Sequence, residues 1–150
     1  MTVDGGRFRV ALRIVKPCLL VLLFLTLLAC GSAEESPDIR QGRSVYGGLC
    51  GSCHGARGEG MGGPALDNLI ENWPSCSSQI SWIELGSEAW LIHEGATYGA
   101  EMKPVEGGMP GYADVLGHEE IQQIAAFTRA EYSGEDVEDA LRSCGLDSAP

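Results

Sequence analysis

A chain of 150 residues carries one small domain at most. Its 21 acidic side chains against 10 basic ones give a net charge of −11. Without a basic footprint to meet phosphates, nucleic acid is excluded as a partner.

Residues 1–29 read as a secretory leader. Arg7, Arg9, Arg13 and Lys16 form a basic segment, and Cys18 to Ala29 is an almost unbroken apolar run. That run falls short of the roughly 20 apolar residues a comfortable transmembrane helix needs and suits a signal-peptide core; an uncleaved signal anchor is the alternative. The ending Leu27-Leu28-Ala29-Cys30 resembles the lipobox of bacterial lipoproteins. The resemblance implies cleavage before Cys30 and lipidation of Cys30, hence a lipid anchor at the extracytoplasmic face of a bacterial membrane. Two or more acyl chains would hold it there stably. Residues 30–150 keep six basic and 20 acidic side chains, a net charge of −14.

Residues 30–37 are small, polar and acidic and form a short tether, with a reach of about 15 Å. Asp38 is placed to cap a helix from Ile39 to Leu49, with Val45 and Leu49 on one face and Gly47-Gly48 weakening its end. Gly55 to Gly63 holds five glycines in nine residues and is a loop, closed by Pro64-Ala65-Leu66. The stretch 67–84 has no clear period. A short helix starts at Ser87, runs through His93 and stops at Gly95, and 96–111 is loop again. Ile121, Ile124, Ala125 and Thr128 follow helical spacing behind Glu119 and Glu120. Strand signals are absent, so the fold class is all-α. Residues 133–150 form an acidic tail whose charged run, Glu131 to Asp139, reads as a solvated face.

The chemistry centres on Cys50-Gly51-Ser52-Cys53-His54. Two cysteines separated by two residues, followed at once by histidine, are the attachment signature of a c-type haem. The thiols can add across porphyrin vinyl groups, and the adjacent imidazole can ligate the iron. A thioredoxin-like site would sit beside a βαβ pattern, which this chain lacks. A structural zinc site needs four protein ligands, and no second cysteine pair or histidine pair follows.

With these residues the segment 38–132 resembles a class I (mitochondrial-type) c-type cytochrome. Gly42 and Tyr46 stand eight and four residues before Cys50, where that family keeps a small residue and an aromatic on its first helix. The small residue lets the last helix, which offers Phe127, cross closely. Pro64 and Leu66 match the segment whose proline carbonyl accepts a hydrogen bond from the proximal histidine. Ile92 and Gly95 match the end of the middle helix, and Gly108-Met109-Pro110-Gly111-Tyr112 matches the distal loop. The resemblance implies three to four short helices around one haem c, covalent through Cys50 and Cys53. It makes His54 and Met109 the axial ligands, with Pro64 behind His54.

Met109 also stands on its own chemistry: a soft thioether favours ferrous iron and raises the potential. Met61, seven residues past His54, and Met102, outside a Gly-Met-Pro setting, are weaker candidates, better read as filler. His93 and His118 are alternative ligands that read more simply as surface groups. Trp73, Trp82, Trp90 and Tyr112 read as pocket or core packing; Tyr98, Arg57 or an indole nitrogen are candidates for a haem propionate. With Cys18 in the leader, Cys30 lipidated and Cys50 and Cys53 on haem, Cys76 and Cys144 remain and are expected to form a disulfide in an oxidising compartment.

The expected function is a membrane-anchored, monohaem electron carrier and not an enzyme. Its expected partners are redox proteins with basic docking faces: a quinol-oxidising complex, a terminal oxidase or a reductase. The alternatives are a permanent cytochrome subunit of a respiratory or dehydrogenase complex, and a haem enzyme or gas sensor with a labile Met109.

Overall fold

A computed structural model describes residues 34–146 of the chain; the leader and the lipidation candidate Cys30 lie outside them. The described residues are mainly helical: α1 (Pro37–Leu49), α2 (Gly51–His54), α3 (Leu69–Asn72), α4 (Cys76–His93), α5 (His118–Ser133) and α6 (Val137–Ser143). Two antiparallel strands of two residues each, β1 (Thr97–Tyr98) and β2 (Lys103–Pro104), close a hairpin in the loop after α4. The class is all-α. The hairpin is too short to leave a period in the sequence.

The frame is the crossing of α1 and α5. A Cβ at Gly42 would lie 2.1 Å from the Gln123 carbonyl oxygen and 2.9 Å from Phe127 Cβ, so only glycine lets the two backbones meet here. Around that contact Ile39, Tyr46, Ile121, Ala125 and Phe127 are buried, each large side chain contributing about 1.5–3 kcal/mol. The Tyr46 ring packs 5.6 Å from Phe127 and 5.2 Å from Tyr132, and the Arg43 guanidinium lies 4.9 Å from the Phe127 ring centre.

Helix α1 begins earlier than expected. Pro37 occupies its first turn, where a missing N–H costs nothing and the fixed φ suits a helix. Asp38 therefore sits inside that first turn instead of capping it, and its carboxylate accepts from Gln123 Nε2 of α5 at 2.8 Å. Gly47 and Gly48 do not end the helix: Cys50 stays right-handed (φ −97°, ψ −35°) and leads directly into α2.

Besides the single-turn helices α2 and α3, the first half of α4 and the whole of α6 were not legible as helix. The stretch without a period becomes the first half of α4, which buries Cys76, Gln79, Ile80 and Ile83 on one face. The acidic tail holds α6, capped by the Asp136 carboxylate, which accepts from the amides of Glu138 (2.9 Å) and Asp139 (3.3 Å). Nor is the acidic run wholly solvated. Arg129, 2% exposed, donates to Glu135 and to the Trp73 carbonyl (2.8 Å), so Glu135 neutralises a buried charge.

Cys76 and Cys144 are joined by a disulfide with Cα atoms 5.1 Å apart, tying α6 to the start of α4. A bridge between residues 68 apart restricts the unfolded chain. The double variant Cys76→Ser/Cys144→Ser is therefore expected to lose about 2–4 kcal/mol. Thermal unfolding measured beside the parent checks this; an unchanged midpoint would remove the bridge from the stability account.

Candidate functional site

Cys50 and Cys53 take no part in a disulfide, whereas Cys76 and Cys144 are paired. Cys53 is exposed; Cys50 is half-buried against the main apolar core, together with Leu66, Met109 and Tyr112. Burial, with the neighbouring Cys53 adding to it, pushes the Cys50 thiol up to about 11. It is held neutral at physiological pH, and a neutral thioether suits the same surroundings.

The loop after α2 fastens the histidine. The Gly60 amide donates to the His54 carbonyl (2.7 Å), and the Gly63 amide to that of Cys53 (2.8 Å). This brings the Pro64 carbonyl to 2.8 Å from His54 Nδ1. A carbonyl only accepts, so Nδ1 carries the proton and Nε2 keeps its lone pair for a metal. Gly63 matters for the same reason: a Cβ there would stand 3.1 Å from His54 Cε1. Tyr46 Oη donates to the Gly55 carbonyl at 2.6 Å, locking the turn where α2 ends.

Met109 is positioned by a notch in α4. The helix breaks at Gly86 (φ 66°, ψ 177°), and the backbone of Met109-Pro110-Gly111 lies in the break. The Ser87 amide donates to the Met109 carbonyl (2.9 Å), as does Ser87 Oγ (3.2 Å), while Oγ accepts from the Gly108 amide (3.0 Å). The Tyr112 amide donates to the Ile83 carbonyl (3.0 Å). Trp82 Nε1 donates to Met109 Sδ at 2.8 Å. Tyr112 follows the loop back towards the thiols: after burial, Cys50 and then Cys53 raise its pKa. The segments carrying His54 and Met109 thus meet the same core.

The other candidates are placed differently. Met61 and Met102 are 74% and 66% exposed. His93 is exposed at the end of α4, and His118 Nδ1 pairs with Glu84 Oε1 at 2.7 Å on the surface. Trp73, Trp82, Trp90 and Tyr98 form one aromatic cluster, with neighbouring ring centres 4.6–5.7 Å apart. Trp90 Nε1 donates to the Thr97 carbonyl (3.0 Å). Arg57 is exposed. Reading the sequence missed the sulfur-directed Trp82 and the notch residue Gly86. The Gly-Ser dipeptide between two apolar stretches was the available signal for the notch.

Among the described residues no group of three or more His, Cys, Asp or Glu side chains could hold a metal ion. A four-ligand zinc site therefore has no ligands here. Two cysteines outside any disulfide, spaced for vinyl addition, and an imidazole whose Nε2 is left for a metal fit a c-type haem. The half-buried thioether on the same core extends that fit. Comparison with known proteins gives the family: residues 39–130 match cytochrome c, and the chain belongs to it. Membership implies covalently bound haem c and a role in carrying electrons.

Two curated relatives are similar over part of their length. The Cbb3-type cytochrome c oxidase subunit FixP of Rhizobium meliloti (strain 1021) is 30% identical over 100 residues, 65% of this chain and 29% of that protein. The subunit of the same name from Sinorhizobium medicae (strain WSM419) is 31% identical over 115 residues, 73% of this chain and 33% of that protein. The chain spans about a third of the length of these relatives. No solved structure is a significant match.

Proposed function

We propose that this protein is a membrane-tethered carrier with a single haem c, ligated by His54 and Met109, that passes electrons one at a time between respiratory redox proteins. Bound haem supplies a one-electron ferric/ferrous couple. The chain's own residues do the rest. Cys50 and Cys53 anchor the group. Pro64 fixes the His54 tautomer and makes the ring a better donor. Ser87 and the Gly86 notch hold Met109 by its backbone. The apolar surroundings of Cys50, Leu66 and Tyr112 keep water from the metal. The observation that carries this reading is the half-buried Met109 on a loop bonded to α4, beside two methionines that are largely exposed.

The tether rests on the Leu27-Leu28-Ala29-Cys30 ending, and the extracytoplasmic setting is supported by the Cys76–Cys144 bridge. A net charge of −14 on residues 30–150 favours partners with basic faces, met in brief, salt-sensitive encounters. The relatives' names favour a terminal oxidase as electron acceptor. The same names favour a second reading, a permanent subunit of such a complex, which co-purification after mild solubilisation would reveal.

The test is the optical spectrum of the purified ferric protein together with carbon monoxide addition to the reduced form. A methionine-sulfur charge-transfer band, one haem per chain and slow or incomplete carbon monoxide binding are expected. Rapid, complete binding at neutral pH would overturn the closed-site carrier in favour of an enzyme or gas sensor.

A further inference from the structure

A hydroxyl on a helix usually bonds a carbonyl of its own helix. Thr128 in α5 does so at the Ile124 carbonyl (2.9 Å), and Ser143 in α6 at the Ala140 carbonyl (3.2 Å). Ser133, the last residue of α5, departs from this habit. Its Oγ donates to the Leu66 carbonyl and accepts from the Leu69 amide, both at 2.9 Å. A carbonyl only accepts and an amide N–H only donates, so both directions are fixed. Just before these partners stands Pro64, whose carbonyl faces His54 Nδ1 at 2.8 Å. Proline has no N–H of its own, so its neighbours must aim that carbonyl. Upstream, the Gly63 amide donates to the Cys53 carbonyl; downstream, the Leu66 amide donates to the Gly58 carbonyl, both at 2.8 Å. These two bonds stay within residues 53–66. The Ser133 hydroxyl supplies the side-chain bonds that tie the Pro64 segment to α5, the helix that crosses α1 at Gly42.

We infer that Ser133 is a positioning residue for His54: by holding Leu66 and Leu69 to α5, it keeps the Pro64 carbonyl on the imidazole N–H and so sets how strongly His54 donates to iron. A well-placed acceptor at Nδ1–H makes the ring more basic, which favours ferric iron. Releasing residue 66 lets the Pro64 carbonyl drift, weakens that hydrogen bond and shifts the equilibrium towards ferrous. The inference rests on His54 being an axial ligand.

The experiment compares holoprotein carrying Ser133→Ala, Ser133→Thr or Ser143→Ala. The first removes the hydroxyl from the Pro64 segment and the second keeps it. The third removes a hydroxyl whose carbonyl partner lies in its own helix. Ser133→Ala should move the equilibrium about threefold towards ferrous, about 28 mV at 59 mV per tenfold for one electron. It should also speed solvent exchange of the His54 Nδ1 proton, read by proton NMR of the reduced protein. Ser133→Thr and Ser143→Ala should keep the parent potential and exchange rate. An unchanged potential in Ser133→Ala would overturn the inference and leave the hydroxyl as a stability contact alone. An equal shift in Ser143→Ala, or a threonine variant that behaves like alanine, would overturn it too, and each of these results leaves His54 ligation standing. Absence of hyperfine-shifted His54 ring protons from the ferric parent would instead remove the axial ligand, and the inference with it. Should Ser133→Ala fail to fold, hydrogen exchange in the reduced parent decides. The Leu69 amide, bonded to Ser133, should exchange no faster than the His54 Nδ1 proton; if it exchanges much faster, the clamp opens without freeing Pro64 and the inference falls.

Discussion

Met109→Ala is expected to abolish the methionine-sulfur charge-transfer band, admit carbon monoxide to the reduced protein and lower the potential, while the fold survives. The fold survives because the loop is held by its backbone: Ser87 bonds the carbonyl of residue 109, and Tyr112 is bonded to Ile83, whatever side chain stands between them. Truncating a half-buried methionine costs about 2 kcal/mol, the low end for such changes. The chemical effect is larger. Without a soft neutral donor the ferric form is favoured, and a fall on the order of 0.1 V or more is expected within the ~0.8 V over which axial ligands move haem potentials. Met61→Ala and Met102→Ala, at exposed positions, should leave spectrum and potential unchanged. Optical titration of the three variants checks this; a parent-like spectrum in Met109→Ala would transfer the sixth position to Met102 or His93.

That comparison also marks where sequence reading reached its limit. Cys50, Cys53 and His54 stand out in the sequence because the signature of c-type haem attachment is a spacing that few other functions need. Gly42 and Phe127 are legible through the family resemblance, and the structure supplies the physical cause in the α1–α5 contact. Elements set by short-range chemistry at one end alone read less well. Asp38 looked like a cap, but Pro37 shifts the helix start by two residues. The acidic tail looked solvated because its composition conceals that Asp136 caps α6 and Glu135 answers the buried Arg129. The first half of α4 was obscured because polar Gln79, buried at 3%, belongs to its inner face. Gln79 Nε2 donates to Thr128 Oγ1 at 3.1 Å, a partnership that no local pattern announces. The notch joins Gly86 to Gly111, 25 residues apart, so no helical or strand period could reveal it.

The notch yields the second large effect, in Gly86→Ala. Gly86 has φ 66° and ψ 177°, a region essentially reserved for glycine. Its missing Cβ would stand 2.3 Å from the Gly111 amide nitrogen and 2.7 Å from the Met109 carbonyl oxygen. Both are backbone atoms, so no rotamer change relieves the overlap. Backbone strain of about 1–3 kcal/mol adds to a packing penalty of similar size, giving an expected loss of about 4 kcal/mol. At roughly 4 °C per kcal/mol for a domain of this size, the melting midpoint should fall by about 15 °C. The displaced segment is the one that carries Met109. Surviving folded Gly86→Ala protein should therefore show a weakened charge-transfer band and faster carbon monoxide binding, with His54 and its Pro64 bond unaffected. Gly48→Ala serves as the control, since nothing lies within 4 Å of a Cβ there and its helix gains a better former. If Gly86→Ala melted with the control and kept the parent spectrum, the notch would not be what holds the methionine loop.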